Sequence, residues 1–200
     1  MKIIIIAVLA LFVAAPAQAG KFKLDKAHGE VGFKVKHLGI SSVRGKFKDF
    51  DGAFEWDEKA GKLENLKTTI KAASIDTNEP KRDDHLRGPD FFDTKKFPTI
   101  EYVATKVEGG SKPTKIIGNL TMHGVTKEVP LDVKYEGATK DPWGGEHIGF
   151  EATGKVNRKD FGLAWNKTLE TGGLLVGEEV WIEIHGEAVP DAKAEPAKKK

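Results

Sequence analysis

The sequence predicts an all-β fold: eight or nine antiparallel strands in meander order, with a short helix and loop inserted midway. Three observations carry the prediction. Apolar and polar residues alternate at a period of two, the mark of strands with one dry and one wet face. Turn-forming clusters separate these runs at short intervals. One stretch, residues 78–93, breaks the alternation. The 200 residues, 39% hydrophobic and 31% charged, suit one globular domain. Many bent strands with one apolar face can close into a barrel, although a two-sheet sandwich satisfies the same pattern.

The chain opens with Met1-Lys2, an apolar run of 13 residues from Ile3 to Ala15, and the small-residue stretch Pro16-Ala17-Gln18-Ala19. The run is shorter than the ~20 residues of a transmembrane helix. A positive start, an apolar run and a small-residue cleavage pattern together make residues 1–19 an expected secretory signal peptide. Residues 20–190 are then the β domain of an exported protein, periplasmic if the source is bacterial. No second long apolar run follows.

The strands come in order. Val31, Phe33, Val35 and His37 alternate with Gly32, Lys34 and Lys36, and Phe50, Gly52, Phe54 and Trp56 with Asp51, Ala53 and Glu55. Leu66, Thr68, Ile70 and Ala72 follow, then Ile116, Gly118, Leu120 and Met122. Val129, Leu131, Val133 and Tyr135 come next, before Ile148, Phe150, Ala152, Gly154 and Val156. The last strand sets Val180, Ile182, Ile184, Gly186 and Ala188 against Trp181, Glu183, His185 and Glu187. Turns fall at residues 58–62, 108–111, 123–125 and 141–145. Gly52, Gly118, Gly154 and Gly186 stand on the dry face where a packed core would want Val or Leu. Glycine there lets another group approach the backbone, and the pairing with aromatics suggests an interior not filled by side chains.

The interruption reads as a helix from about Glu79 to Arg87. Asn78 is its expected N-cap, Pro80 is tolerated in the first turn, and Gly88-Pro89 stops it. Asp90-Phe91-Phe92-Asp93 then sets two aromatics between carboxylates, and Phe97-Pro98 restarts the strand pattern. A helix and an aromatic pair set into a barrel make a lid or plug for one end, with Gly88-Pro89 a hinge or a rigid elbow. At the other terminus, residues 191–200 contain no aromatic or β-branched residue and carry +2. A disordered basic tail is expected there, and so small a cluster supports at most peripheral membrane contact.

Several function classes drop out. A formal charge of +2 gives no reason to expect nucleic acid. Zero cysteine excludes disulfides, thiolate metal sites and a thiol nucleophile. There is no Gly-x-Ser-x-Gly, no phosphate-cradling loop and no His-Glu-x-x-His. Asp83, Asp84, Asp90 and Asp93 with His85 imitate an acid/base or metal cluster, but no second histidine lies among them. No catalytic residue, metal or cofactor is therefore expected; an enzyme acting on a lipid is the alternative.

The chain resembles the YceI-like family of exported, lipocalin-like proteins that bind polyisoprenoids and other long apolar lipids. The resemblance rests on ordered blocks between residues 22 and 189: Leu24–His37, Val43–Phe47, Ser74–Thr77 with Arg82–Leu86 and Asp90–Asp93, Gly118–Thr126, Arg158–Asn166 and Val176–Val180. It implies a closed antiparallel eight-stranded barrel, capped at one end by the helix-loop insertion, around an elongated apolar pocket. A long-chain isoprenoid or other lipid is the implied partner, and a homodimer stays open as the assembly. The apolar wall would draw on Phe33, Phe47, Phe50, Phe54, Phe91, Phe92, Phe97, Phe150, Phe161, Trp165 and Trp181, each of which could equally be plain core. Arg82, His85, Arg158 and Asn166 could meet a polar head group, or tie the insertion to the barrel. At ~0.8 kcal/mol per buried CH₂, a chain of dozens of carbons would pass the practical affinity ceiling of about −18 to −21 kcal/mol. Chain ordering must offset part of that gain, or part of the ligand must stay wet.

Overall fold

The computed structural model describes residues 19–170 and 172–192. The expected signal peptide, apart from residue 19, and the tail beyond residue 192 lie outside them. Among the described residues eleven strands form a single sheet: β1 (Gly20–Leu24), β2 (Glu30–His37), β3 (Ser41–Phe47), β4 (Phe50–Asp57), β5 (Lys62–Lys71), β6 (Ile75–Asp76), β7 (Thr99–Glu108), β8 (Lys115–Met122), β9 (Val125–Lys140), β10 (Glu146–Asn157) and β11 (Val176–Pro190). Every pairing is antiparallel, and β1 pairs with β11 as well as with β4, which closes the ring.

The eleven strands reduce to eight staves. β1 and β2 both run along β11, with Leu24 opposite Ala188 and Glu30 opposite His185. β3 and β4 continue one another along β2 and β1 in the same way, and β5 and β6 along β4 and β3. The result is a closed eight-stranded up-and-down barrel, not a sandwich. Bulges at Ala53/Glu55, Ala104/Lys106 and Gly149/Phe150 supply local bends of the kind closure requires.

The hairpins sort the barrel into two ends. Residues 58–61, 109–114 and 141–145 turn at one end, together with Gly20 and Pro190. The β2–β3 and β8–β9 turns, the β7 start and the β10 end lie at the other. At the second of these turns His123 and Gly124 both have positive φ, +51° and +76°. Two such residues suit the tight hairpin that joins right-twisted strands.

Helix α1 (Pro80–Arg87) sits at this second end. Its N-cap is Glu79, whose carboxylate accepts from Lys81 N–H at 3.2 Å, and not Asn78, which stands at a positive φ of 61°. Buried Asp83 accepts from Thr77 N–H at 2.9 Å and from the Thr77 hydroxyl at 2.6 Å. Arg87 donates from Nε to Ala73 O and from Nη2 to Ile75 O, both at 2.8 Å. Beyond Gly88, the N–H groups of Phe91, Phe92 and Asp93 donate back to Gly88 O, Leu86 O and Gly88 O at 3.1, 3.0 and 2.9 Å. This bonding ties the Gly88-Pro89 segment back to the end of the helix. The helix and the loop after it plug this end of the barrel, with Leu86, Phe91 and Phe92 facing the interior.

The dry-face glycines correct one expectation. A Cβ on Gly118 would come within 2.5 Å of the Tyr102 ring, one on Gly52 within 2.6 Å of Leu24, and one on Gly154 within 2.7 Å of Leu131. Gly186 is approached by Gly29, whose Cα would lie 2.8 Å from the added Cβ. These glycines are covered by neighbours and do not hold the interior open.

Candidate functional site

The inward residues of the staves enclose a cavity of about 260 Å³, near the low end of small-molecule pockets at ~300–1,000 Å³. The period-two pattern builds its wall. Val31, Phe33 and Val35 come from β2, Ile116, Leu120 and Met122 from β8, Val129, Leu131 and Val133 from β9, and Val180, Ile182 and Ile184 from β11. Leu86, Phe91, Phe92, Arg158 and Leu163 bound the helix end, and Leu63, Pro113 and Tyr135 the hairpin end. Phe47 meets Phe92 edge-on, with centroids 5.8 Å apart, and Phe33 tilts on Phe47 at the same distance.

Few lining side chains carry polar atoms, and most of those are already engaged. The Tyr102 hydroxyl donates its one proton to Val129 O at 2.9 Å, with Ile116 O also near at 3.2 Å, and burial pushes its pKa up to about 12. Tyr135 is raised first by burial and then by Glu58, to which its hydroxyl donates at 3.3 Å. Trp56 is 6% exposed, and its indole N–H is buried without a partner among the described residues. Buried polar groups normally find one, so this donor is a singular feature of the wall.

Among the described residues, Arg158 is the one charged side chain in the wall. It lies on a 3-10 turn, Arg158–Phe161, that follows β10, and is 4% exposed. Its Nε donates to Gly177 O at 2.9 Å, Nη1 to Leu163 O, and Nη2 to Val176 O at 3.4 Å. Burial pushes its pKa down, with Glu178 opposing; a guanidinium still stays charged at neutral pH. Three carbonyls do not use all five of its N–H groups, so the fork keeps donor capacity.

Of the aromatics proposed from sequence, Phe33, Phe47, Phe54, Phe91, Phe92 and Phe150 line the cavity. The others do not. Phe50 is buried beneath Gly29, 3.3 Å from where a Cβ there would sit. Phe97 packs on His123, centroids 4.5 Å apart, against the β8–β9 hairpin. Phe161 is 1% exposed, in the core under the 3-10 turn. Trp165 stands behind the wall, 5.2 Å from Phe91 and 4.9 Å from His85. Trp181 is on the outer surface between the ammonium groups of Lys34 and Lys155, each 5.2 Å from its ring. Its odd place in the alternation of β11 already pointed outward.

Among the polar candidates only Arg158 reaches the cavity. Arg82 donates to the Thr77 hydroxyl at 2.7 Å and to Thr77 O at 2.9 Å, tying α1 to the chain before it. His85 faces Asp90 at 2.8 Å on the exposed side of the plug. Asn166 donates to Val176 O at 2.7 Å and accepts from Val176 N–H at 3.1 Å, bracing the loop before β11. Sequence reasoning missed Trp56 and Tyr102 as wall residues. Trp56 stood on the dry face of its strand, and Ile100-Glu101-Tyr102-Val103-Ala104 shows the alternation that would have found the other.

A model of the YceI-like domain matches residues 22–188. The chain belongs to the YceI-like domain family. Protein YceI of Salmonella arizonae is 42% identical over 178 residues, 88% of this chain and 91% of that protein. The crystal structure of the Campylobacter jejuni YceI protein has a TM-score of 0.68 at 38% identity, covering 84% of this chain and 96% of that one. A polyisoprenoid-binding domain from Saccharophagus degradans shares the fold, with a TM-score of 0.63 at 12% identity over 85% of this chain and 98% of that one. The YceI-like barrel is thus shared with both solved relatives.

Proposed function

We propose that this chain is an exported lipid-binding protein that holds a long apolar tail inside its barrel and does no chemistry on it. The observation that carries the reading is the cavity wall, which is apolar apart from one buried guanidinium at its helix end, the engaged hydroxyls of Tyr102 and Tyr135, Thr68 and the Trp56 indole N–H. A flexible hydrocarbon chain is the ligand such a wall suits, because it needs a dry, aromatic-lined space and few polar contacts. The ligand class is a polyisoprenoid, an isoprenoid quinone or a fatty-acyl compound. The name of the S. degradans relative, a polyisoprenoid-binding domain, supports the first of these. Arg158 suits an anionic or carbonyl head at the helix end. A cavity of about 260 Å³ is small for dozens of carbons, so a ligand of that length leaves part of itself outside or widens the barrel.

The leader-like residues 1–19 support a location outside the cytoplasm, in the periplasm of a bacterial source, where the protein carries, stores or sequesters the lipid. The test is organic extraction and mass spectrometry of protein purified from its own host. An isoprenoid or long-chain acyl species is expected in stoichiometric amount. Delipidated protein that binds neither farnesol, a short-chain ubiquinone nor palmitate would overturn the reading. Turnover of a bound lipid during incubation would overturn its non-catalytic half.

A further inference from the structure

A cluster on the outer wall has no part in the cavity. β1 ends at Leu24 and β2 begins at Glu30, and the turn between them lies directly on β11. Asp25 N–H donates to Glu187 O at 2.9 Å. Two glycines allow this approach: a Cβ on Gly186 would lie 2.8 Å from Gly29 Cα, and one on Gly29 the same distance from Asp25 O. The chain is thereby drawn close enough for side chains of the turn and of β11 to converge. Asp25, His28 and Glu187 each offer one ligand atom, all within 4.8 Å of one another. Asp25 Oδ2 is 2.7 Å from His28 Nδ1, and its Oδ1 accepts from Ala27 N–H at 2.9 Å, which fixes the carboxylate.

A second layer holds Glu187. Its Oε2 lies 2.7 Å from His147 Nδ1, and His147 Nε2 is 3.4 Å from Asp141 Oδ2. Asp141 is itself held at Oδ1 by the N–H groups of Trp143 and Gly145, at 2.8 and 2.7 Å. A carboxylate oriented by an imidazole, oriented in turn by a second carboxylate, is how outer-layer groups fix metal ligands.

We propose that Asp25, His28 and Glu187 form a surface site for a divalent transition-metal ion of the zinc class, with His147 and Asp141 as positioning residues behind Glu187. Zinc bonds to nitrogen and oxygen run about 2.0–2.2 Å, so tetrahedral ligand atoms stand roughly 3.3–3.6 Å apart. To reach that spacing an ion replaces the 2.7 Å contact of Asp25 with His28, and the three ligand atoms, now within 4.8 Å of one another, adjust around it. Two carboxylates balance the ion's charge, and the imidazole favours a transition metal over calcium or magnesium. The His28 side chain is 62% exposed, which leaves room for water to complete the coordination. Ala188, the neighbour of Glu187, is fully buried and Glu187 points the other way, so the ion would sit on the outside of the seam where β1 and β11 close the barrel. It would clip the β1–β2 turn to β11 there.

The test is calorimetric titration of zinc chloride into the full chain, free of any histidine tag and stripped with EDTA. One saturable site per chain is expected, with a melting temperature that rises with zinc and falls back with EDTA. His28→Ala and Glu187→Gln should each abolish the site. His147→Ala should weaken it about 10- to 100-fold, and His147→Asn, which keeps a donor toward Glu187, should recover most of that loss. His85→Ala, at the far end of the barrel, should change nothing. Absence of saturable binding would overturn the proposal. So would binding that survives both His28→Ala and Glu187→Gln, since the ion would then be held by scattered surface groups.

Discussion

The two ends of the barrel are closed by different physics. At the helix end, Asp83, Arg82, Arg87 and Arg158 hold α1 and the loop before β11 through side-chain bonds to main-chain atoms and to Thr77. At the hairpin end the cavity is bounded by Leu63, Pro113 and Tyr135 on or beside short turns. Among the described residues that line the cavity there, the polar groups are the Tyr135 hydroxyl, in an exposed bond to Glu58, and the unpartnered Trp56 indole. A bonded plug specifies one geometry, because each buried charge is destabilising unless its partners stay in place. An apolar stopper can shift without leaving any group unpaired. If the proposed lipid binds, this difference favours entry past the hairpin end, with the head or terminus against the plug.

The largest expected effect breaks the plug at its apolar face. Phe91 is 6% exposed against Trp165 and His85, and Phe92 leans edge-on against Phe47. Single buried Phe→Ala changes destabilise by ~3–5 kcal/mol. Phe91→Ala with Phe92→Ala should lower stability by several kcal/mol and also shrink the rise in melting temperature that farnesol produces. Leu63→Ala should cost less stability and alter mainly the rate of farnesol uptake. Melting curves and stopped-flow uptake of the two variants separate the ends. Equal effects on both quantities would dissolve the contrast.

Arg158→Met comes next. The apolar replacement fills much of the volume but leaves Leu163 O and Gly177 O without their donor. Hydrogen bonds to charged groups are worth ~1.5–3 kcal/mol each, so a loss of about 3 kcal/mol in urea denaturation is expected. An anionic probe such as palmitate should lose more affinity than farnesol. A variant as stable as the wild type would show that the plug needs no buried charge.

These two regions also differ in how far the sequence revealed them. Most staves, the turns and the insertion were legible because each follows from a local rule: alternation, Gly and Pro punctuation, and a break in period; β7, whose alternation follows Phe97-Pro98 directly, was not picked out. Phe91 and Phe92 stood out for the same reason, and Arg158 fell within a recognisable block. The hairpin end carried no such mark. Trp56 lies on an ordinary dry strand face, and its orphan N–H exists only because no acceptor happens to approach it across the closed ring. Glycines misled because what fills the space beside them is set by cross-strand register, as where Tyr102 covers Gly118. The outer cluster was hidden by distance in sequence: Asp25, His147 and Glu187 meet only once β1, β10 and β11 share one seam.

A third prediction uses pH to probe the wall between the ends. Tyr102 is pushed up to about 12 from an ordinary value of 10 by burial. The raised folded value means that the unfolded chain loses its proton first. Stability from this group is therefore fully present below pH 10 and drains away as the pH climbs toward 12. Each tenfold difference in proton affinity between the folded and unfolded chain is worth about 1.4 kcal/mol, so the loss over that window should reach about 2 kcal/mol. Tyr102→Phe should flatten the dependence. Urea midpoints measured from pH 9 to 12 on both proteins decide it, and a steep fall that persists in Tyr102→Phe would place the sensitive group elsewhere.

The smallest effect belongs to the hairpin end itself. Tyr135 on β9 and Glu58 in the β4–β5 turn make an exposed bond of 3.3 Å, with a Tyr135–Trp56 ring contact of 5.9 Å beside it. Exposed polar contacts of this kind contribute ~0–1 kcal/mol. Tyr135→Phe keeps the ring and removes only the hydroxyl, so stability should change by less than about 0.5 kcal/mol, as for most surface substitutions. Its consequence should lie in kinetics: with the tether gone, the turns that bound the cavity separate more readily, and farnesol should enter and leave faster at nearly unchanged affinity. Arg87→Gln, which weakens a tether of the plug, supplies the mirror experiment. It should reduce stability by more than Tyr135→Phe does and leave uptake at the wild-type rate. If Arg87→Gln accelerates uptake while Tyr135→Phe does not, the chain passes the helix, and the plug is the gate after all.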